Sequence, residues 1–188
     1  MQEILKLRVP GAASVSELLG FEGSAATAYW QAIAKVIDYK FGFSSRVTQD
    51  ASDIVNSALN YGYAILYSKI LKSIAAAGLS PHVSYLHALD EQKPTLAFDL
   101  IEEFRAFIVD RAVISMVNKN EPFEIKDGLL SVATRQNIAK NVNEKLFACT
   151  QYRGEQLKAQ DIIDRQAYAL KRAVTQNEKY KPFIGRFQ

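Results

Sequence analysis

The stretch LHALDEQKPTLAFDLIEEFR, residues 86–105, holds one histidine and five carboxylates, three of them closely spaced near its end. His87 is one of only two histidines in the chain, and Asp99, Glu102 and Glu103 follow it inside an otherwise apolar run. A further carboxylate, Glu22, stands upstream in LLGFEGSAATAYW, flanked by glycines. Imidazole with carboxylates is the donor set of Mn2+ or Mg2+; carboxylates dominate it, and one nitrogen tilts the preference toward Mn2+. Three protein ligands leave positions for water and a substrate phosphate, which suits phosphoryl transfer. Each residue also has a plainer reading. Acids three and four apart form one edge of a helix, and acids in a first helical turn stabilise its dipole. A lone histidine is commonly structural, and Glu22 could be the N-terminal charge of a short helix.

These residues must be positioned by helices, since nearly every segment has helical spacing. SVSELLGFEGSAATAYWQAIAKVI repeats apolar residues at Leu18, Leu19, Ala25, Ala26, Tyr29, Ile33 and Ile37. Ser14 or Ser16 caps its start, with Glu17 completing a capping box from Ser14. Gly20 and Gly23 predict two short helices meeting near Glu22. A loop, KFGFSSRVTQD, leads to a long apolar helix from Ser52 or Asp53 to a stop at Gly78 and Pro81; with so few polar residues it belongs at the centre of the core. After the connection HVSYLHALDEQKPT comes a second long helix, LAFDLIEEFRAFIVDRAVISMVNK. PFEIKDGLLSV predicts a small β-hairpin turning at Asp127-Gly128. TRQNIAKNVNEKLFACTQY and RGEQLKAQDIIDRQAYALKRAVTQN read as amphipathic helices, and KYKPFIGRFQ as an aromatic, basic tail. The expected fold is mainly α: a multi-helix domain with one small β-hairpin.

The 188 residues suffice for one domain with a real core. No apolar run approaches the ~20 residues of a bilayer span, and MQEILKLRVPG lacks the apolar stretch of a secretory signal. The expectation is therefore a cytoplasmic protein with no membrane association. A single cysteine, Cys149, excludes an internal disulfide framework and a multi-cysteine zinc site, and reads as a reduced core thiol on a helix. The charge is uneven. Residues 132–188 hold 11 Lys/Arg against 5 Asp/Glu, a net of +6, whereas residues 1–131 hold 12 against 15, a net of −3. A basic segment beside an acidic one fits a protein that grips a polyanion with one surface and holds metal with another; the alternative is a set of solvated basic helices.

Four segments in order, LLGFEGSAATAYW, SDIVNSALNYGYAILYSKILKSIAAAGLSP, YLH and PTLAFDLIEEFR, resemble the C-terminal helical domain of the CRISPR-associated endonuclease/integrase of spacer acquisition, the "Cas one" family. The resemblance runs from about residue 15 to the end. It implies a helical catalytic domain with one Mn2+ or Mg2+, held by Glu22 in GFEGSAA, His87 in SYLH and Glu102 in DLIE. Asp99 would then be a supporting acid, and Tyr67 matches a tyrosine often found near the family's site. SYLH stands where GFLH is more usual, which alters backbone freedom before His87 but not the ligand. The family's N-terminal β-domain has no counterpart, so residues 1–13 read as a linker or remnant of an upstream domain and 14–188 as the catalytic domain. The chain is then a fragment, or part of a fusion to an upstream enzyme such as a reverse transcriptase.

The implied reaction is a transesterification in CRISPR spacer acquisition, joining prespacer 3′-hydroxyl ends to the CRISPR repeat. With water as nucleophile it becomes nuclease activity. The implied partners are double-stranded DNA, a second copy of the chain in a homodimer, and the small "Cas two" protein. Arg135, Lys140, Arg153, Arg165, Lys171 and Arg172 are the candidates for holding DNA phosphates, while Arg105 either joins them or pairs with Glu102 or Glu103. Two rivals remain: a non-catalytic helical module that binds DNA or protein, with Glu22 and His87 apart and exposed, and an unrelated metal hydrolase, which needs more histidines. His82 is taken as a non-ligand.

Overall fold

The computed structural model describes residues 12–85 and 93–185. His87 lies outside the described residues. Helices dominate, as the spacing predicts: α1 (Val15–Ala34), α2 (Ile54–Ala76), α3 (Thr95–Ile101), α4 (Arg111–Asn118), α5 (Val132–Phe147) and α6 (Ala159–Gln176). The strands are β1 (Ile125–Lys126), β2 (Leu129–Leu130), β3 (Cys149–Tyr152) and β4 (Glu155–Lys158).

Helix α1 is continuous through both glycines, so two short helices meeting near Glu22 do not occur. Ser14 caps it by accepting from the Glu17 N–H at 3.1 Å, and Glu17 reaches back to the Ala13 N–H at 2.8 Å. Only Trp30 of α1 is buried, and the helix packs through its second half.

The centre of the core is α2, against which α3, α4, α5 and α6 all pack. Leu59, Leu66, Ile70 and Ile74 are each 1% exposed or less. Asp53 caps its start through the Asn56 N–H at 2.8 Å. Asn56 is fully buried and satisfies its side chain on the preceding loop: its amide donates to the Ser45 carbonyl, and its oxygen accepts from the Val47 N–H and Arg46 Nη1. That clasp orients Arg46. Gly78, at φ 72°, ends the helix as predicted. Gly62 lets the next helical run approach closely, since a Cβ there would stand 2.6 Å from Val109 Cγ1.

The second long helix is a helical run, not one regular helix. It opens as α3, passes through a turn at residues 102–104, winds as a π-helical segment over Ala106–Asp110, and closes as α4. Wide π turns of this kind occur often at functional sites. The segment before residue 86 is laid on the start of α3: the Leu96 N–H donates to the Pro81 carbonyl, Thr95 Oγ1 to the His82 carbonyl, and His82 Nδ1 lies 3.1 Å from the Lys93 carbonyl. His82 thus has a local structural bond.

The β1–β2 hairpin turns at Asp127 and Gly128, both at positive φ, in the register Ile125↔Leu130. A second hairpin, β3–β4, was not anticipated. It takes the end of one expected amphipathic helix and the start of the next, and turns at Arg153 (φ 50°) and Gly154 (φ 91°). Cys149 is therefore on a strand, and it is exposed, not a core thiol on a helix.

Candidate active site

A fully formed polar cluster joins the two ends of the sequence pattern. Asp110, closing the π-helical segment, is only 2% exposed. Its Oδ2 accepts from the Tyr29 hydroxyl of α1 at 2.9 Å, and its Oδ1 accepts from the Tyr63 hydroxyl of α2. Burial pushes the Asp110 carboxyl above the usual carboxylate range, although the two phenols and the nearby Arg105 and Arg46 oppose that shift. Burial, and then the Asp110 charge, push both phenols upward, so they remain donors. Tyr29 and Glu22 are seven residues apart on α1 and share a face, because two helical turns separate them.

From Tyr63 the cluster opens to the surface. The Arg105 guanidinium lies 4.5 Å and that of Arg46 5.2 Å from the centre of the Tyr63 ring. Arg105 Nη1 donates to Glu102 Oε1 at 2.6 Å, which settles its pairing in favour of Glu102. These residues, with Tyr67 and Phe98, line a groove of about 430 Å³. Tyr67 and Phe98 stack there with ring centres 5.3 Å apart and planes at 27°.

The three acids of DLIEE are not one edge. Glu102 faces this groove. Asp99 and Glu103, four residues apart, line a separate pocket of about 380 Å³ with Tyr85, Leu170 and Tyr180. Asp99 Oδ2 accepts from the Tyr85 N–H at 2.8 Å, which ties the chain to α3 two residues before His87 in sequence. Glu103 holds the C-terminal segment, accepting from Gln166 Nε2 at 2.7 Å, the Tyr180 hydroxyl at 2.5 Å and the Phe183 N–H at 2.8 Å.

Glu22 is partly exposed on α1 and does not line the Glu102 groove. Among the described residues, no three His, Cys, Asp or Glu side chains stand together as a cation site. The basic candidates divide. Arg165 pairs with Glu155 at 3.0 Å, Arg172 with Glu178 at 3.0 Å, and Lys140 stands 4.0 Å from Glu144. Arg135 and Lys171 are exposed, and Arg153 donates to the Lys181 carbonyl at 3.1 Å. Asp110, Tyr29 and Tyr63 escaped the sequence reading. A signal for Asp110 was present: a lone carboxylate inside the apolar run AFIVDRAVISM needs a buried partner.

With this geometry in place, comparison with known proteins is decisive. The family model described as CRISPR associated protein Cas1 matches residues 1–144. The chain belongs to the Cas1 family. A CRISPR-associated endonuclease Cas1 from Francisella tularensis subsp. novicida is 36% identical over 176 residues, covering 94% of this chain and 54% of that protein. One from Archaeoglobus fulgidus is 35% identical over 182 residues, covering 90% and 53%. The chain thus spans about half the length of the curated Cas1 relatives it matches. Among solved structures, a casposase bound to integration product superposes with a TM-score of 0.85 at 31% identity, over 93% of this chain and 51% of that one. A chain of a Cas6-RT-Cas1–Cas2 complex shares the fold over part of its length, with a TM-score of 0.79 at 22% identity, covering 98% of this chain and 23% of that one. The helical architecture is that of Cas1 proteins. No helix of the described residues is long and apolar enough to cross a membrane.

Proposed function

We propose that this chain is the catalytic helical part of a CRISPR spacer-acquisition integrase, and that Glu22, His87 and Glu102 hold a divalent Mn2+ or Mg2+ ion. The observation that carries the reading is the clasp at Asp110. Tyr29, on the face of α1 that bears Glu22, is bonded to the helical run that bears Glu102. The donor types fit, because carboxylates with one imidazole are the ligands such ions take. Glu102 is also reachable from solvent, its side chain being 37% exposed. When bound, the ion supplies charge stabilisation at a phosphodiester under attack.

The chain's own residues supply positioning. Arg105, propped on the Tyr63 ring, fixes one oxygen of Glu102 and leaves the carboxylate aimed along the groove wall. Arg46, held by Asn56 and by Asn60 at 2.5 Å, presents a second guanidinium to the same groove, where phosphate oxygens pair well with such forks. Asp99 steadies the segment entering His87 through Tyr85. In the exchange the prespacer 3′-oxygen forms a bond to phosphorus while the repeat's P–O bond breaks. The 3′-hydroxyl gives up its proton, and the leaving oxygen takes one. Water in place of the 3′-hydroxyl makes the reaction hydrolysis.

The names of the relatives, endonucleases and a casposase bound to integration product, support DNA as substrate. Family membership extends the reading to a second copy of the chain and a Cas2 partner in the whole protein, working in the cytoplasm. The Cas6-RT-Cas1–Cas2 complex of the same fold makes an upstream RT fusion a coherent setting. The rival of a non-catalytic module has one discriminating test. Calorimetry is expected to show Mn2+ binding to the wild type and its loss in His87→Ala. Equal binding by both proteins removes His87 from the site, and binding by neither returns the chain to the interaction-module reading.

A further inference from the structure

We propose that Tyr63 and Asp110 are positioning residues for the ion at Glu102, acting on it through Arg105. Glu102, Arg105 and Asp110 stand on one helical run, and Tyr63 meets that run from α2. At 3.6 residues per turn, residues five apart face different sides of a regular helix. Arg105 and Asp110 are five apart, yet both reach Tyr63. The Arg105 guanidinium lies 4.5 Å from the centre of the ring, and Asp110 Oδ1 accepts from the hydroxyl. The π-helical winding over Ala106–Asp110 accounts for this, because its i→i+5 period returns Asp110 to the side of Arg105. The wide turn thus places the anchor of the ring, and the guanidinium that rests on the ring, on one side of the run.

The ring has two cations to order. The Arg46 guanidinium lies 5.2 Å from its centre, and like charges that converge on one ring repel. Arg46 has holders besides Tyr63: Asn56 Oδ1 at 3.0 Å and Asn60 Oδ1 at 2.5 Å. Among the described residues the charged partner of Arg105 is Glu102, through Oε1 at 2.6 Å, and Arg105 otherwise rests on Tyr63. A guanidinium fork released from the ring closes on both oxygens of a carboxylate, the geometry that such pairs favour. On Glu102 that closure takes the oxygen an ion needs. The Tyr63 hydroxyl, fixed on a carboxylate only 2% exposed, keeps the ring in place and so keeps Arg105 on Oε1. Glu102 is then left with a second oxygen as donor.

This role rests on the metal reading above, and the experiment separates the two. Mn2+ is titrated by calorimetry into the whole chain, without DNA. Tyr63→Phe keeps the ring and loses the hydroxyl; it is expected to bind about tenfold more weakly, a loss usual for a residue that orients a metal ligand. Tyr63→Phe/Arg105→Gln is expected to bind as Arg105→Gln does, because the competing fork is gone. Such non-additivity marks residues that act through one another. Asp110→Asn, similar in shape and a poorer acceptor, runs the same cycle with the same expected outcome, and decides the matter if Tyr63→Phe does not fold. Equal weakening in the Arg105→Gln background shows an effect that bypasses Arg105 and overturns the positioning role. Wild-type affinity in both Tyr63→Phe and Asp110→Asn overturns it while the metal reading stands. A wild type that binds no Mn2+ overturns both.

Discussion

The Tyr29 hydroxyl and Asp110 Oδ2 are 2.9 Å apart, and this contact ties the helix bearing Glu22 to the run bearing Glu102. The two residues are 81 positions apart in sequence. A buried carboxylate is costly unless donors surround it; here two phenols from two different helices do so, which makes Asp110 a spacer between α1 and α2.

Asp110 should give a pH-dependent stability of unusual sign. Burial raises its carboxyl above the unfolded value of about 3.9, so the folded state binds the proton more tightly. The contribution is present below the unfolded value and is lost as pH rises through the raised folded one. Thermal melts of wild type and Asp110→Asn should therefore separate progressively above about pH 4, with the wild type losing ground. A difference in Tm that stays constant with pH would show that Asp110 does not titrate in this way.

Gly62 to Ala is expected to destabilise the core. The new Cβ would meet Val109 Cγ1 at 2.6 Å, and both side chain and helix are packed. Overpacking of this kind costs about 1–3 kcal/mol. At roughly 2–4 °C per kcal/mol for a chain of this size, the Tm should fall measurably. An unchanged Tm would mean that α2 and the π-helical segment separate more easily than their contact suggests.

Much of this arrangement was legible in the sequence, for identifiable reasons. Asp53, Gly78 and Asp127-Gly128 carry local chemistry that dictates caps and turns without help from distant residues. The core position of α2 followed from its nearly uninterrupted apolar run. The second hairpin was hidden because Arg153-Gly154 is a weaker turn signal than Asp127-Gly128, and CTQY and EQLK do not alternate. The continuity of α1 was hidden because Gly20 and Gly23 face open space, where glycine costs helix stability but does not stop the helix. At the site, helical spacing placed Asp99, Glu102 and Glu103 together, yet the turn at 102–104 and different partners send Glu102 one way and Asp99 with Glu103 another. Partners 47 to 81 residues away, such as Tyr63, Tyr29 and Phe183, leave no local trace.

Glu103 should act as the anchor of the C-terminal segment. It accepts from Gln166, Tyr180 and the Phe183 N–H, and Phe183 stacks on Phe104 at 5.2 Å. Glu103→Ala removes the acceptor of the Tyr180 hydroxyl and the Phe183 N–H, while the buried Gln166 amide keeps only its longer bonds to the Lys181 carbonyl and the Tyr180 hydroxyl. A loss of about 3 kcal/mol, or roughly 6–12 °C in Tm, is expected. Limited proteolysis should cut after residue 177 in the variant but not in the wild type. Wild-type resistance in Glu103→Ala would assign the anchoring to Phe183 packing alone.

Changes at the proposed metal ligands should abolish chemistry while sparing fold and DNA binding. Glu22→Ala, His87→Ala and Glu102→Gln each remove a donor to the ion, whereas the basic residues of the C-terminal third remain. Strand transfer, measured in the full-length protein with Mn2+, should fall to background in all three. Asp99 touches the Tyr85 N–H and only supports the site, so Asp99→Asn should cost about 10-fold, as outer-shell partners commonly do. Glu102 also holds Arg105, so Glu102→Gln leaves that guanidinium over Tyr63 without a charged partner and should lower Tm slightly, with or without Mn2+. Glu22 has no such pairing in the Glu102 groove, and Glu22→Ala should leave the metal-free Tm unchanged. If Glu102→Gln keeps full strand transfer and Asp99→Asn loses it, the ligand within DLIE is Asp99, and the pocket it shares with Glu103, not the groove beside Tyr63, is where the ion belongs.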